Sequence, residues 1–349
     1  MADFDLLSPA ELMVVRSEAL NKFTQLFKKL FYPKVMTFKS KKVFLDEIPG
    51  QPAMAVYCAP RVSGQVDKTR GHLTNAFEPG YVKSKHTVDL QASLDRIAGE
   101  KPMGELSPAE RFDYYTLRNL EDEEQSIQQL EEYQCVQMAL YGKYTMTGPN
   151  LPEPIEVDTG RNPENHIVQA GAGRWSQQDR DTYDPTHDID AYADNSTGTV
   201  DILVMGSKAW QELNRFKLFR EKFDSKRGSA SLAELGLKDL GLWVSIKGYY
   251  GDVMIMVTKN KYIDPVDKKT KRLYMPENGL LLASLGIQGY MMYGVIQNTK
   301  AVKAGMEEGE RFLSQWEEGG DPADIYTMTE CSPAAVQPET NHFVFVEVN

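Results

Sequence analysis

Long apolar runs are missing from this 349-residue chain. None approaches the roughly 18 to 20 residues that a membrane-spanning helix requires, and Met1-Ala2-Asp3-Phe4-Asp5 lacks the basic flank and apolar centre of a secretory signal. Synthesis and use in the cytosol, with no membrane partner, are therefore expected. Cysteine is scarce as well. Cys58, Cys135 and Cys331 are widely spaced and form no Cys-x-x-Cys pair, so neither a disulfide framework nor a zinc site is suggested. Each reads as a small buried hydrophobe. No Gly-x-Ser-x-Gly elbow occurs, and no thiol sits in a nucleophile motif, which leaves catalysis without a supporting pattern. Gly171-Ala-Gly173 is followed by Arg174 and Trp175, not by a Lys-Ser/Thr pair, and reads as a loop rather than a phosphate cradle. His187, Asp188 and Asp190 match no zincin or EF-hand spacing, and Asp184 and Thr186 read as residues that start a helix. No catalytic, cofactor-binding or metal-ligating residue is assigned. Internal repeats and low-complexity tracts are absent too, which excludes repeat architectures.

What is present begins with an apolar fraction of 41%, that of a folded globular protein long enough for two domains and a sizeable core. The net charge of −11 is unevenly spread. Residues 1–105 hold 15 Lys and Arg against 12 Asp and Glu, whereas the remainder is strongly acidic. Lys22, Lys28, Lys29, Lys34, Lys39, Lys41 and Lys42 follow one another with no acid between them.

Ser107-Pro108-Ala109-Glu110 starts a helical pattern that runs unbroken to Gly142. Ser107 and Glu110 form a capping box, Pro108 suits the first helical position, and Gly142 supplies a left-handed stop. Phe112, Tyr115, Leu120, Ile127, Leu130, Tyr133, Cys135, Val136 and Leu140 recur at helical spacing. A helix from Pro108 to Tyr141 would span about 51 Å at 1.5 Å per residue, so it must lie across something extended. Its Glu121, Asp122, Glu123, Glu124, Glu131 and Glu132 form an acidic belt. The basic stretch carries Phe27, Phe31, Tyr32 and Phe38 among its lysines, a composition also found in membrane and nucleic-acid binders. Docking of that arm on a neighbouring subunit's acidic helix accounts for both features together. The candidate subunit-interface residues are accordingly Lys28, Lys29, Lys39, Lys41, Lys42, Arg61, Lys68, Arg70, Glu121, Asp122, Glu123 and Glu124.

A second capping box, Ser8-Pro9-Ala10-Glu11, opens a shorter helix whose Leu12, Val15, Ala19, Phe23, Leu26 and Leu30 share one face. From Val35 to Leu90 short extended segments (Val43 to Leu45, Met54 to Cys58, Phe77 to Val88) are punctuated by glycines and read as a long β-hairpin arm. Residues 61–75 hold few large apolar side chains, so the tip should project. A hairpin is expected around Pro149 to Pro154. From Val200 the pattern becomes strand, helix, helix, strand: Val200 to Val204, Lys208 to Phe223, Ser231 to Leu240, then Leu242 to Ile246 and Val253 to Val257. A Lys-rich hairpin at Asp264 to Arg272 follows, then extended segments at Leu280 to Ala283, Met291 to Ile296, Tyr326 to Thr329 and Phe343 to Val348. The fold class is α+β.

These residues resemble the major capsid protein E family of lambda-like tailed bacteriophages. The likeness runs almost end to end. It is carried by Glu78-Pro-Gly-Tyr-Val-Lys-Ser-Lys-His86, Gly142-Lys-Tyr-Thr-Met-Thr-Gly148, Glu156-Val-Asp-Thr-Gly-Arg161, Thr182-Tyr-Asp-Pro-Thr186, Lys226-Arg-Gly-Ser229, Lys238-Asp-Leu-Gly241 and Tyr250-Gly-Asp-Val253. The resemblance implies a Hong Kong 97-type phage capsid fold. It implies an N-terminal arm over 1–36, an extended E-loop hairpin over 37–105, a P domain with a spine helix over 106–198, an A domain over 199–323, and C-terminal strands over 324–349 that return to the P domain.

The implied activity is self-association into hexamers and pentamers that close an icosahedral head shell around double-stranded DNA, held without sequence specificity. Scaffold, portal and decoration proteins are the further partners. The implied location is the virion, after assembly in the host cytoplasm. Only seven residues precede the first cap, so a separately encoded scaffold is expected. Some relatives weld subunits by a Lys–Asn isopeptide bond; Lys68, Lys83 and Lys85 lie in the E-loop region, and no such crosslink is expected here. Two other readings are a different virion component such as a tail-tube subunit, and an acidic soluble hydrolase using Asp184 to Asp190.

Overall fold

The computed structural model describes residues 8–9, 11–13, 25–47, 73–88, 93–97, 106–224, 243–319 and 324–348. Helical expectations over 14–24 and 231–240, the strand-like Met54 to Cys58, and the projecting tip over 61–72 lie outside them.

One helix sets the dimensions. The spine helix spans Pro108–Tyr141, 34 residues, with the bounds its caps dictate. Ser107 Oγ accepts from the Glu110 N–H at 3.3 Å, and the Ser107 N–H donates to Glu110 Oε2 at 2.7 Å. Gly142 takes φ +70° at the other end, and its N–H returns to the Met138 carbonyl. A Cβ at Gly142 would stand 2.6 Å from the Arg161 Cβ, so both the dihedral and the space exclude a side chain.

Among the described residues the strands form six sheets. The largest has seven strands: β7 (His166–Val168), β19 (Val344–Glu347), β14 (Gly279–Ala283), β8 (Ile202–Met205), β11 (Val253–Thr258), β10 (Val244–Tyr250) and β9 (Phe223–Asp224), in that order. It is mixed, with β19–β7 and β11–β8 parallel and the other pairs antiparallel. Strands β8, β11 and β14 read as near-continuous apolar runs because both faces are covered. Ile202, Val204, Met254, Met256, Leu281 and Phe345 pack into a core shared with the spine helix, while Leu203, Met205, Ile255, Val257, Leu282 and Val344 enter a second core. Three short helices, Thr186–Ala193, Ser207–Leu213 and Lys217–Lys222, contribute Ile189, Leu213 and Phe219 to that second core. The sheet is thus a septum between two cores. It draws β7 and β19 from outside the span 199–323, so hydrogen bonds join segments that the sequence reading assigned to separate regions.

The smaller sheets surround the spine. β1 (Lys34–Thr37) runs parallel to β15 (Tyr290–Tyr293), which pairs antiparallel with β18 (Pro333–Val336). β4 (Val82–Val88), β17 (Asp324–Cys331) and β16 (Phe312–Glu318) form an antiparallel trio. β2 (Val43–Glu47) pairs with β3 (Leu73–Phe77), the base of the expected hairpin arm. β5 (Lys143–Met146) with β6 (Ile155–Asp158), and β12 (Lys261–Ile263) with β13 (Lys271–Leu273), are the two further expected hairpins.

Several elements differ from expectation, among them the first helix, which is not continuous through Gln25. The single helix expected over Lys208 to Phe223 is broken at Phe216, which turns extended. The Lys217 N–H bonds the Arg180 carbonyl instead of a carbonyl four residues back, and the Phe216 ring is buried in the second core. Strand β16 had no apolar alternation to betray it, because Ser314 and Gln315 are buried together with Phe312 and Leu313.

Candidate assembly site

The site is built on the inward face of the spine helix, where Glu123, Ile127, Glu131 and Cys135 recur every four residues and are fully buried. Opposite them lies the arm, a short helix Leu26–Phe31 that buries Leu26, Phe27, Leu30 and Phe31 in the first core. Helix Leu26–Phe31 has no side-chain cap of its own. The spine supplies one: Glu132 Oε1 accepts from the Phe27 N–H at 2.8 Å and Oε2 from the Lys28 N–H at 3.1 Å. A carboxylate at a helix N-terminus answers both the free amides and the helix dipole. Burial pushes the Glu132 carboxyl up to about 7, only partly offset by those amides.

At the adjacent residue the chemistry is ionic. Glu131 accepts from Arg311 Nη2 at 2.6 Å, Lys28 Nζ at 2.9 Å, Gln25 Nε2 at 2.9 Å and the Tyr293 hydroxyl at 2.8 Å. Burial alone would raise this carboxyl, but Arg311 and Lys28 outweigh it and hold it down to about 2. Arg311 also reaches Glu124 at 3.3 Å through Nε. Glu131 therefore ties arm, spine, β15 and the start of β16 into one clamp.

Further along, Glu123 accepts from Thr327 Oγ1 at 2.8 Å and Thr329 Oγ1 at 2.7 Å on β17, with His86 Nδ1 of β4 at 3.2 Å. Burial raises its carboxyl, and these three partners oppose the shift. At the far end Arg161 stands over the helix C-terminus. Its Nη1 donates to the Leu140 carbonyl at 2.8 Å, and its Nη2 to those of Met138 and Ala139 at 2.8 and 2.9 Å. Burial lowers this guanidinium to about 10, and the C-terminal carbonyls receive it in place of an acid.

The candidate interface residues therefore divide. Lys28 does dock on the acidic spine, but on Glu131 of its own chain. Glu123 has no exposed surface, and it and Glu124 are held by partners within the chain, so the acidic belt expected to receive a neighbour's arm is in large part an internal clamp. Asp122 is exposed and Glu121 half-buried. Lys29, Lys41 and Lys42 are exposed, and Lys39 lies 3.5 Å from Glu308. Arg61, Lys68 and Arg70 lie outside the described residues. Lys83 pairs with buried Glu330 at 3.2 Å, and Lys85 sits 3.6 Å from the Tyr326 ring centroid.

Sequence reasoning missed the roles of Arg311 and Arg161. Arg311 stands alone among Glu307, Glu308 and Glu310, a lone cation in an acidic run that reads as solvated. Arg161 closes one of the seven quoted motifs but had no role there.

The acids proposed for a hydrolase hold loops together. Asp184 accepts from Thr186 and from Lys222 Nζ at 2.5 Å, and Asp188 from Trp175 Nε1 at 2.8 Å and the Tyr183 hydroxyl at 2.6 Å. Among the described residues no group of three or more His, Cys, Asp and Glu is arranged to hold a metal ion, and no helix is long and apolar enough to cross a membrane.

Comparison with known proteins places this arrangement. The chain is 44% identical over 329 residues to the P21 prophage-derived major head protein of Escherichia coli O6:H1 strain CFT073, covering 94% of this chain and 95% of that one. It is 42% identical over 336 residues to the major capsid protein of Escherichia phage lambda, covering 96% and 97%. A crystal structure of a prophage protein of E. coli CFT073, described as a capsid protein, superposes with a TM-score of 0.82 at 32% identity over 99% of this chain and all of that one. The Hong Kong 97-type capsid fold expected from the motifs is thus the fold found. Residues 11–348 match the family described as Phage major capsid protein E, and the chain belongs to that family.

Proposed function

We propose that this chain assembles into hexamers and pentamers that close the icosahedral head shell of a tailed bacteriophage around its double-stranded DNA. The observation that carries the reading is the family match over residues 11–348, joined to a superposition over 99% of the chain on a capsid protein. The role is structural, and the protein is a virion component. Assembly takes place in the host cytoplasm, with a scaffold, a portal and a decoration protein as partners. Residues 1–36 are the arm, 37–105 the E-loop, 106–198 with 324–349 the P domain, and 199–323 the A domain.

Physical considerations support this. The net charge of −11 suits a container for DNA, because a basic wall would hold phosphates through counterion release and retain the genome. Val35 and Met36 lie on the open edge of β1 with more than 40% of their surface exposed, which is costly in an isolated subunit and resolved by association.

Electron microscopy of the purified protein, with and without a co-expressed scaffold, tests the reading. Closed shells or capsomers are expected. Open tubes or ring stacks with no closed shell would identify a tail-tube subunit, and small particles only would favour a soluble enzyme.

A further inference from the structure

The β12–β13 hairpin displays charge from a fixed base. The Tyr274 hydroxyl donates to the Gln129 carbonyl of the spine at 3.0 Å, and Tyr262 packs between Tyr133 and Tyr274 with ring centroids 5.4 and 4.9 Å away. The tip is shaped by its own acids. Asp264 accepts from the Val266 N–H at 2.9 Å and pairs with Arg272 at 2.6 Å, while Asp267 accepts from the N–H groups of Lys269 and Thr270 at 2.9 Å. Lys268 is held at φ +54°, a left-handed conformation that residues other than glycine seldom adopt. Lys268, Lys269 and Lys271 are left exposed around Val266, which is 91% exposed. A pre-ordered loop loses little entropy on docking, so this apolar tip ringed by cations has the character of a contact element.

Its complement must be a face of exposed carboxylates that no cation of the same chain already holds. Several acids fail that requirement: Glu124 and Glu131 bind Arg311, Glu308 faces Lys39, Glu318 faces Lys85 at 3.9 Å, and Glu156 and Glu277 pair with Lys143 and Lys208. The helix Thr186–Ala193 with its C-cap Asp194 meets it. His187, Asp190, Ala191 and Asp194 recur at helical spacing and are all exposed, opposite the buried Thr186 and Ile189. Asp190 accepts from the Tyr250 hydroxyl at 3.3 Å, and the nearby cation Lys222 is bound to Asp184 and Thr186 instead. The last turn of this helix carries no basic residue. Two carboxylates one turn apart at a helix C-terminus repel each other and oppose the helix dipole, which destabilises an isolated subunit and is relieved by cations from outside.

The two surfaces rest on opposite faces of the seven-stranded sheet, since Tyr274 enters the first core and Ile189 the second. The sheet keeps them apart within one chain, so they are free to meet between copies. Unlike patches of this kind make head-to-tail contacts, and head-to-tail contacts that close generate rings.

We propose that the tip of the β12–β13 hairpin docks on the exposed face of the helix Thr186–Ala193 in a second copy of this chain, with Val266 against Ala191 and the tip lysines against Asp190 and Asp194. The contact rests on the self-assembly reading and deepens it by naming one surface between subunits. Exposed charge pairs act chiefly on the rate of encounter and on specificity, so the contact should matter most at low salt.

The test compares four full-length proteins co-expressed with scaffold: wild type, Lys268→Glu/Lys269→Glu, Asp190→Lys/Asp194→Lys, and all four changes together. Assembly is read by sedimentation velocity and electron microscopy at low salt, and folding of each by circular dichroism melting. Wild type should assemble, each pair of reversals should lower assembly roughly tenfold without lowering the melt, and the fourfold variant should regain it. If wild type assembles and either pair of reversals assembles equally well, the proposal alone is overturned. Loss in both pairs without recovery in the fourfold variant also overturns it, since the two patches would then face other partners. A wild-type protein that stays monomeric overturns the self-assembly reading, and this contact with it.

Discussion

The acids of the spine helix and the bases of the β12–β13 hairpin are two charged regions with opposite fates. Glu123, Glu131 and Glu132 are fully buried, held by Thr327, Arg311 and the Phe27 N–H of the same chain. Lys268, Lys269 and Lys271 point to solvent from a turn whose acids are already occupied. Buried carboxylates are costly to desolvate and persist only where geometry satisfies them, so they select one docking of the arm on the spine. Exposed charge contributes little to the fold of one subunit and is left for association. A run of like charge in a sequence does not say which of the two it is; the partners do.

The comparison can be broken most sharply at Arg311. Replacement by Met leaves Glu131 buried with Lys28 as its one remaining cation, and a loss of about 3–5 kcal/mol in urea unfolding is expected. A change below about 1 kcal/mol would mean that the clamp contributes little.

Acid and base titration separate the two adjacent glutamates. Glu131 is depressed from its ordinary 4.5 to about 2, so its contribution is present above pH 4.5 and lost as pH falls toward 2. Glu132 is raised from 4.5 to about 7, so folded protein binds its proton more tightly and stability falls as pH rises from 4.5 to 7. Each limb is on the order of 3 kcal/mol. Glu131→Gln should flatten the acid limb of the melting profile and Glu132→Gln the limb between pH 4.5 and 7. The opposite assignment would reverse the roles given to the two residues.

Arg161 offers a buried cation with carbonyl partners instead of a carboxylate. Arg161→Met should cost about 1–3 kcal/mol, the range for leaving buried acceptors unsatisfied. Its effect should stay smaller than that of Arg311→Met. On the exposed side, Lys39→Ala removes a 3.5 Å surface pair with Glu308 and should shift stability by less than about 0.5 kcal/mol. A larger shift in monomeric protein would show that this surface charge is structural.

Much of this was legible in the sequence. Ser107, Pro108, Glu110 and Gly142 fixed the spine at 108–141, because capping is local chemistry. Strands β8, β11 and β14 of the seven-stranded sheet were visible as apolar runs, and the motif order indicated the family. The clamp was not legible, because Arg311 meets Glu131 across 180 residues of sequence and nothing near either residue announces the other. The fate of Glu123 was hidden for the same reason, its partners Thr327 and Thr329 lying on a strand more than 200 residues away. Phe216 broke a helix that propensity alone would have continued, since its burial and the Arg180 carbonyl outweigh local preference.

A cryo-electron map of particles assembled from this chain tests the central claim most directly. The expected result is a closed shell in which each spine helix receives Lys28 and the helix Leu26–Phe31 from its own subunit, through Glu131 and Glu132. Tubes in place of shells, or a spine whose Glu131 and Glu132 are met by the arm of an adjacent subunit, would contradict it.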